Sequence, residues 1–151
     1  MAKTTKTQRE QFHSVYGTQK FKTNTVHEGG VEIDGAAELN GATSFSTETV
    51  AAGNGSGNAV ALSTTSTVSF VTTATNSSHV SLADGVTGQV KIIVHKTRSN
   101  TTDLVITPAN FAAGSTLTSN SDSRSVTLCF DGTNWQVIAG EITGTAEMVI
   151  G

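Results

Sequence analysis

Cysteine, proline and charge are scarce in this chain of 151 residues, which has one Cys, one Pro and 14% charged residues. A single cysteine excludes a disulfide framework within the chain, so we expect the chain to be made and folded in a reducing cytosol. The place of Cys129 in a strand pattern predicts that it is buried as a small hydrophobe. No apolar run approaches the ~20 residues that span a bilayer, so we expect no membrane partner. The first lysines are not followed by an apolar stretch, which argues against a signal peptide.

Threonine and serine dominate the composition, with 26 Thr and 16 Ser. Short β-branched runs such as Val90–Val94 and Ser125–Phe130 are separated by turn-forming residues, which favours strands over helices. Nine strands are expected, near 59–63, 67–73, 79–83, 89–96, 103–107, 115–118, 124–131, 134–139 and 145–150. We therefore predict an all-β fold, either a β-sandwich or an intertwined trimeric β domain, with an extended N-terminal arm.

Composition divides the chain into three segments. Residues 1–25 are a basic N-terminal anchoring arm, residues 26–57 an extended connector that ends in a Gly/Asn/Ser linker, and residues 58–151 the β-rich domain. The chain has few charged residues and few large apolar residues. This composition favours an oligomer, in which partner chains cover surface that one small fold cannot bury alone. We therefore predict a homotrimer in preference to a monomeric β-sandwich.

The N-terminal arm differs in charge from the rest of the chain. Residues 1–22 carry five basic side chains and one acidic one, whereas the remainder carries four basic and eleven acidic ones. The capping-box spacing of Thr7–Glu10 predicts one short amphipathic helix, with a flexible leader as the equal alternative. Without a nucleic-acid-binding motif, these cations and aromatics suit a protein surface rather than nucleic acid. The predicted partner-binding anchor consists of Lys3, Lys6, Arg9, Phe12, Tyr16, Lys20, Phe21 and Lys22.

The sequence lacks the familiar motifs of catalysis and cofactor binding. It has no nucleophile elbow, phosphate loop or zinc-ligand pair, so we predict no enzyme, no cofactor and no metal. His79 and His95 on strands could meet at a trimer axis and bind an ion, but a solvent-facing or hydrogen-bonded role is favoured. Turn aspartates such as Asp131 indicate turn chemistry, and Trp135 is expected in the core rather than stacked on a sugar.

Three stretches of the β-rich region resemble a module of virion proteins from marine tailed bacteriophages. They are Leu82–Thr97 with its Leu-Ala-Asp-Gly and His-Lys-Thr motifs, Leu104–Phe111 with Thr-Pro-Ala-Asn-Phe, and Val126–Ile138 with Phe-Asp-Gly-Thr-Asn-Trp. The resemblance covers residues 58–140. It implies a structural protein at the virion surface, assembled in the host cytoplasm.

The plan of a short arm, a brief connector and one β domain suits a capsid decoration (cement) protein or a short head fibre. The expected partners are further copies of the chain in a homotrimer and the major capsid protein. The first alternative is a short tail fibre or tail-tip adhesin that joins a tail protein and binds a host surface glycan. A second alternative, a small polysaccharide depolymerase, would require two carboxylates in a groove.

Overall fold

The computed structural model describes residues 42–73 and 77–140, together with the backbone of residues 148–150. This part of the chain is all-β, as predicted, and its helical content is a single 3₁₀ turn at Ser56–Asn58. The strands are β1 (Thr47–Ala51), β2 (Gly53–Asn54), β3 (Val60–Leu62), β4 (Val68–Thr73), β5 (Ser78–Leu82), β6 (Val90–Arg98), β7 (Leu104–Pro108), β8 (Leu117–Ser119), β9 (Arg124–Phe130), β10 (Trp135–Gly140) and β11 (Met148–Ile150).

The strands form two mixed sheets. The five-stranded sheet has the order β1-β4-β6-β9-β10, and the six-stranded sheet has the order β11-β8-β7-β5-β2, with β3 also paired to β5. Strands β3 to β11 correspond one to one with the nine predicted strands. The choice between a β-sandwich and an intertwined trimer stays a prediction. None of the helical segments in the described ranges is long and apolar enough to cross a membrane.

Successive strands from β3 to β7 alternate between the two sheets. In the five-stranded sheet β1, β4 and β6 run parallel, and in the six-stranded sheet β3, β5 and β7 run parallel. Paired residues lie 20 positions apart at Val60 and Val80 and 24 apart at Val68 and Ile92. The chain therefore winds as a short stack of coils, and the antiparallel strands β8 to β11 then extend both sheets.

Both sheets contribute side chains to one hydrophobic core. Every second residue is buried along β4, along β6 as far as His95 and along β9 from Val126, since side chains alternate between the two faces of a strand. The buried apolar residues are Leu62, Val71, Val80, Leu82, Ile93, Leu104, Ile106, Leu117, Val126, Leu128, Phe130 and Trp135. On β6 the inward series is Lys91, Ile93 and His95, so an apolar centre is flanked by one polar group on each side.

Within residues 47–58, whose composition indicated connector and linker, two strands join these sheets and a 3₁₀ turn follows them. Strand β1 pairs with β4, and β2 pairs with β5. The Gly55 amide donates to Ser77 O at 2.7 Å, and Gly53 packs so closely that a Cβ there would overlap the Asn58 carbonyl oxygen. Glycine is needed here for close approach of two backbone segments rather than for flexibility. The boundary between the two units of the chain falls between Gly41 and Ala42.

Candidate functional site

The predicted anchor lies outside the described residues. Its members are Lys3, Lys6, Arg9, Phe12, Tyr16, Lys20, Phe21 and Lys22, and the capping-box helix would lie among them. Their role in binding a partner stays a prediction. The site that the described residues do show is elsewhere, where the β6–β7 loop meets the start of β5.

A polar pocket of about 370 Å³ opens beside the β6–β7 loop. One wall is the loop itself, which follows the last residue of β6. The other wall is formed by Ser77, which directly precedes β5, and by Val105 of β7. Strands β5 and β7 are parallel neighbours, so their amino ends meet at the same edge of the six-stranded sheet. The lining residues are Ser77, Asn100, Thr101, Thr102, Asp103 and Val105.

The guanidinium of Arg98 holds the loop wall in place. It donates to Thr102 O from Nε at 3.2 Å, and from Nη2 to Thr101 O at 2.6 Å and to Asp103 Oδ1 at 2.7 Å. Two successive loop residues, Asn100 and Thr101, have φ of 52° and 57°. This left-handed conformation is strained for a β-branched residue, so the Arg98 contacts and the fold must stabilise it.

The pocket lining is mostly polar. It offers hydroxyl, amide and carboxylate groups, which are of the kind that hydrogen-bond to a sugar or another polyol, and Val105 supplies its apolar side chain. The side-chain oxygen of Thr102, one of the lining residues, is buried with no hydrogen-bond partner in the described structure. A buried hydroxyl without a partner costs about 1–3 kcal/mol, so strain and an unsatisfied group coincide in this loop.

A serine and a histidine meet beside the pocket. Ser77 Oγ lies 2.9 Å from His79 Nε2. This is the separation of a nucleophile and its base, but a nucleophile of that kind also needs a third group that orients the imidazole. The hydrogen bonds of the described residues include no such group on the His79 ring. The contact is therefore a hydrogen bond at the strand start, in agreement with the hydrogen-bonded role predicted for this histidine.

Lys91 is fully buried on the inward face of the five-stranded sheet. Its ammonium donates to Ser63 O and Ser66 O, each at 2.7 Å, and forms an ion pair with Glu48 Oε1 at 3.2 Å. Burial lowers the pKa of Lys91, while Glu48 opposes that shift. This pair fastens β1 and the β3–β4 loop to β6, and it has a structural role.

Glu48 is the acceptor of this buried network. Besides Lys91 it accepts from Ser69 Oγ at 2.5 Å and from the Ser63 amide at 2.9 Å. Burial alone would raise its pKa, but the hydrogen bonds from Ser69, Lys91 and Ser63 outweigh burial and hold the pKa below the ordinary 4.5. The sequence did not lead us to predict this pair. The available signal was a lysine at an inward position within the apolar run Val90–Val94.

His95 lies in the core on the other side of Ile93. The Ser119 hydroxyl donates to Ser121 O at 3.0 Å, so it accepts from His95 Nδ1–H, also at 3.0 Å. Burial lowers the pKa of His95, and the positive charge of Arg98 lowers it further. The histidine is therefore buried and hydrogen-bonded, with a pKa below the ordinary 6.5. The described residues hold no group of three or more His, Cys, Asp or Glu side chains that could bind a metal ion.

Trp135 and Asp131 have the structural roles that the sequence indicated. The indole of Trp135 is fully buried, donates to Ala83 O at 3.1 Å and lies 5.2 Å from the Phe130 ring. The Asp131 carboxylate accepts from the Thr133 and Asn134 amides at 2.8 and 2.7 Å, and these bonds hold its pKa below 3.8.

The prediction for Cys129 was wrong, because its side chain is only partly buried.

Comparison of the sequence with known proteins identifies no family, since no family model and no curated protein matches the chain.

Proposed function

We propose that this chain is a non-enzymatic structural protein of a bacteriophage particle. It is a homotrimeric capsid decoration (cement) protein or short head fibre, anchored to the major capsid protein by residues 1–25. The resemblance of its β-rich region to phage virion modules supports the proposal. The structural observation that carries the proposal is the winding of the β domain.

Strands β1 and β3, then β4 and β5, then β6 and β7, form successive coils of the same winding. Each coil pairs with the next through parallel ladders, which is the construction principle of solenoid and fibrous proteins. The first coil follows directly on the N-terminal unit of the chain, and the antiparallel strands lie beyond the last coil. This construction suits a structural role for the β domain.

The ion pairs of the β domain also suit a mechanical role. Lys91 and Glu48 connect the first coil to the third, and Arg98 and Asp103 stiffen the β6–β7 loop. In a decoration protein, three such bodies would place three basic arms on one symmetry axis of the shell. Linked arms bind far more tightly than a single arm, and binding to the assembled shell stabilises that state by mass action.

Localisation on intact particles tests the proposal. The particles would be imaged by electron cryomicroscopy with symmetry averaging of the shell and separate averaging of the tail. We expect density for three β domains at threefold or quasi-threefold positions of the capsid. Particles assembled with a chain that lacks residues 2–22 should lose this density, although the truncated protein still folds. Absence of the chain from purified particles would refute the proposal.

A tail adhesin that binds a host surface glycan is the second candidate, and the polar pocket favours it. In that case density would occur only at the tail. Glycan titration would separate the candidates further. Asn100→Gly keeps the left-handed backbone because glycine tolerates positive φ, yet it removes the amide from the pocket. An adhesin should lose glycan binding in this variant and keep it in the control Thr133→Ala, which changes an exposed turn. A decoration protein should bind no host glycan, whether as the wild type or as either variant.

A further inference from the structure

His95 links the two sheets at the end of the domain where the β6–β7 loop lies. It is on β6 of the five-stranded sheet, has no exposed surface, and donates from Nδ1–H to Ser119 Oγ on β8 of the six-stranded sheet at 3.0 Å. Because Nδ1 carries the proton, Nε2 is an acceptor, and the hydroxyl of Thr73 at the end of β4 lies 3.4 Å from it. The neutral imidazole therefore has an uncharged hydroxyl partner on each nitrogen.

Two loops are attached to the histidine and to its hydroxyl partners. One is the β6–β7 loop, residues 99–103, in which the Ser99 amide donates to Thr73 Oγ1 at 3.4 Å. The other is the β8–β9 loop, residues 120–123, in which the Ser123 amide donates to the backbone carbonyl of the histidine at 2.7 Å. We call these two segments the flanking loops.

The flanking loops concentrate the unfavourable features of the described structure. Among the described residues other than glycine, those with positive φ are Asn100, Thr101 and Ser123, at 52°, 57° and 60°. The buried side-chain atoms without a hydrogen-bond partner in the same part of the chain are Thr102 Oγ1 and Asn120 Oδ1. Opening of the loops would relax this backbone and expose both atoms to water, so contacts with the rest of the domain must keep the loops closed.

The charges around His95 do not stabilise an imidazolium in its place. Burial is the main cause that lowers its pKa, and the positive charge of Arg98 on the same strand lowers it further. The adjoining strand β9 carries a second cation, Arg124, at the position paired in register with His95. The groups with the opposite effect do not reverse the shift, and all belong to the flanking loops: Asp122, Asp103 and the Ser121 carbonyl. Protonation therefore places a poorly compensated charge in the core, which water would solvate.

We propose that His95 is a pH-sensitive latch for the flanking loops, which holds them closed when it is neutral and opens them when it is protonated. The loops are the part of the domain that loses least on opening, since they contain the disfavoured backbone and the two atoms without partners. Both sheets stay folded, because their apolar core does not depend on these loops. Opening removes the loop wall of the polar pocket. The latch is independent of the function proposed above.

Amide hydrogen exchange, resolved by NMR on the full chain, tests the latch in the unmodified protein. The range runs from about pH 8 to about pH 5, above the range in which most carboxylates titrate. After correction for the intrinsic exchange rate, protection of the Ser99 and Ser123 amides should be constant above pH 6.5. Below 6.5 it should fall by up to about tenfold per pH unit until the lower pKa of the closed form is passed. The Thr133 and Asn134 amides, which donate to Asp131 in the β9–β10 turn, should show no such change.

Two variants and a second condition identify the group and the size of the opening. His95→Gln should abolish the pH dependence of the two loop amides. The matched control His79→Gln changes a histidine that bonds to Ser77 Oγ, and it should keep the wild-type dependence. Low concentrations of urea should hardly change the exchange of the loop amides, whereas amides of the core strands that exchange only on global unfolding should respond strongly.

Several results would overturn the latch. They are wild-type loop amides whose protection does not change with pH, a folded His95→Gln variant with the wild-type dependence, and a His79→Gln variant that loses it. Loop amides that respond to urea as strongly as the core amides would show that the loops open only when the whole domain unfolds, which also contradicts the proposal. If His95→Gln does not fold, the wild-type exchange, its urea dependence and His79→Gln still decide.

Discussion

Replacing Glu48 by Gln tests whether the buried ammonium of Lys91 depends on its charge partner. The substitution keeps the size of the side chain and an oxygen acceptor, but it removes the negative charge. Lys91 has no exposed side-chain surface, whereas the Glu48 side chain is 19% exposed. The variant therefore retains a cation in the core whose remaining partners are Ser63 O and Ser66 O.

The size of the effect follows from the distance and the burial. Two unit charges 3.2 Å apart attract by about 5 kcal/mol where the effective dielectric constant is near 20. The two carbonyl partners persist, and water can reach the Glu48 side, so the loss should be smaller. We expect about 2–4 kcal/mol, close to the cost of removing one member of a buried pair. At roughly 4 °C per kcal/mol, which lies between the values for domains of 100 and of 150 residues, the Tm should fall by about 8–16 °C.

Urea and thermal unfolding followed by Trp135 fluorescence would measure this loss. The matched control is Asp103→Asn, which removes the same charge from the ion pair with Arg98. The side chains of that pair are 26% and 48% exposed, so the control should cost no more than about 1 kcal/mol. If the two variants lost equal stability, or if Glu48→Gln unfolded like the wild type, the assignment of Lys91 to a charge-dependent buried site would be wrong.

The pH dependence of stability provides an independent check on Glu48. Its pKa in the folded protein is below 4.5, so the unfolded chain takes up a proton first as the pH falls. The stabilisation from Glu48 is therefore complete above pH 4.5 and is lost as the pH falls through the lower folded value. The free energy of unfolding of Glu48→Gln should depend less on pH in this acid range than that of the wild type.

Three further predictions concern the glycine-rich segment, the core and the buried histidine. Gly53→Ala should destabilise by about 1–3 kcal/mol, because the new Cβ overlaps the Asn58 carbonyl oxygen, whereas Gly57→Ala has open space and should be neutral in urea titrations. Trp135→Ala should cost about 3–5 kcal/mol, measured by calorimetry, because it empties a fully buried site. The pKa of His95 is lowered in the folded state, so the unfolded chain protonates first and stability should fall as the pH drops below 6.5. His95→Gln should weaken this dependence in denaturant titrations at several pH values.

Each of these predictions can fail in a distinct way. Equal stabilities of Gly53→Ala and Gly57→Ala would mean that the segment is a linker after all. An unchanged Tm with lost glycan binding in Trp135→Ala would favour the adhesin. A His95→Gln variant with the wild-type pH profile would mean that another group titrates in that range.

Alternation and turn chemistry made most of the strands predictable from the sequence. The run from Val126 to Ile138 shows this best, because β-branched residues flank an Asp-Gly turn and the structure forms the antiparallel pair β9–β10 there. The Asp131 side chain caps that turn through neighbouring backbone amides, which is a local interaction. Local interactions of this kind depend on residues close in sequence, so the sequence alone determined them.

The candidate site was less predictable because its residues become significant only when distant segments meet. Asn100 and Thr101 are ordinary polar loop residues until Arg98 fixes their backbone and Ser77 closes the pocket from another strand. The partners of Lys91 lie 25 to 43 positions away in the sequence. No local periodicity encodes such pairs.

The sequence by itself therefore determined the all-β class, the positions of strands β3 to β11, the core role of Trp135 and the contrast between a basic arm and the rest of the chain. Only the tertiary structure decided that residues 47–51 and 53–54 belong to the sheets, since β1 and β2 are stabilised by strands that follow them in the chain. It also decided which side of each strand faces the core. In the run Val90–Val94 the inward side carries Lys91 and the outward side is entirely apolar, so the pattern alone would assign the core to the wrong side, and only the packing of two sheets corrects it.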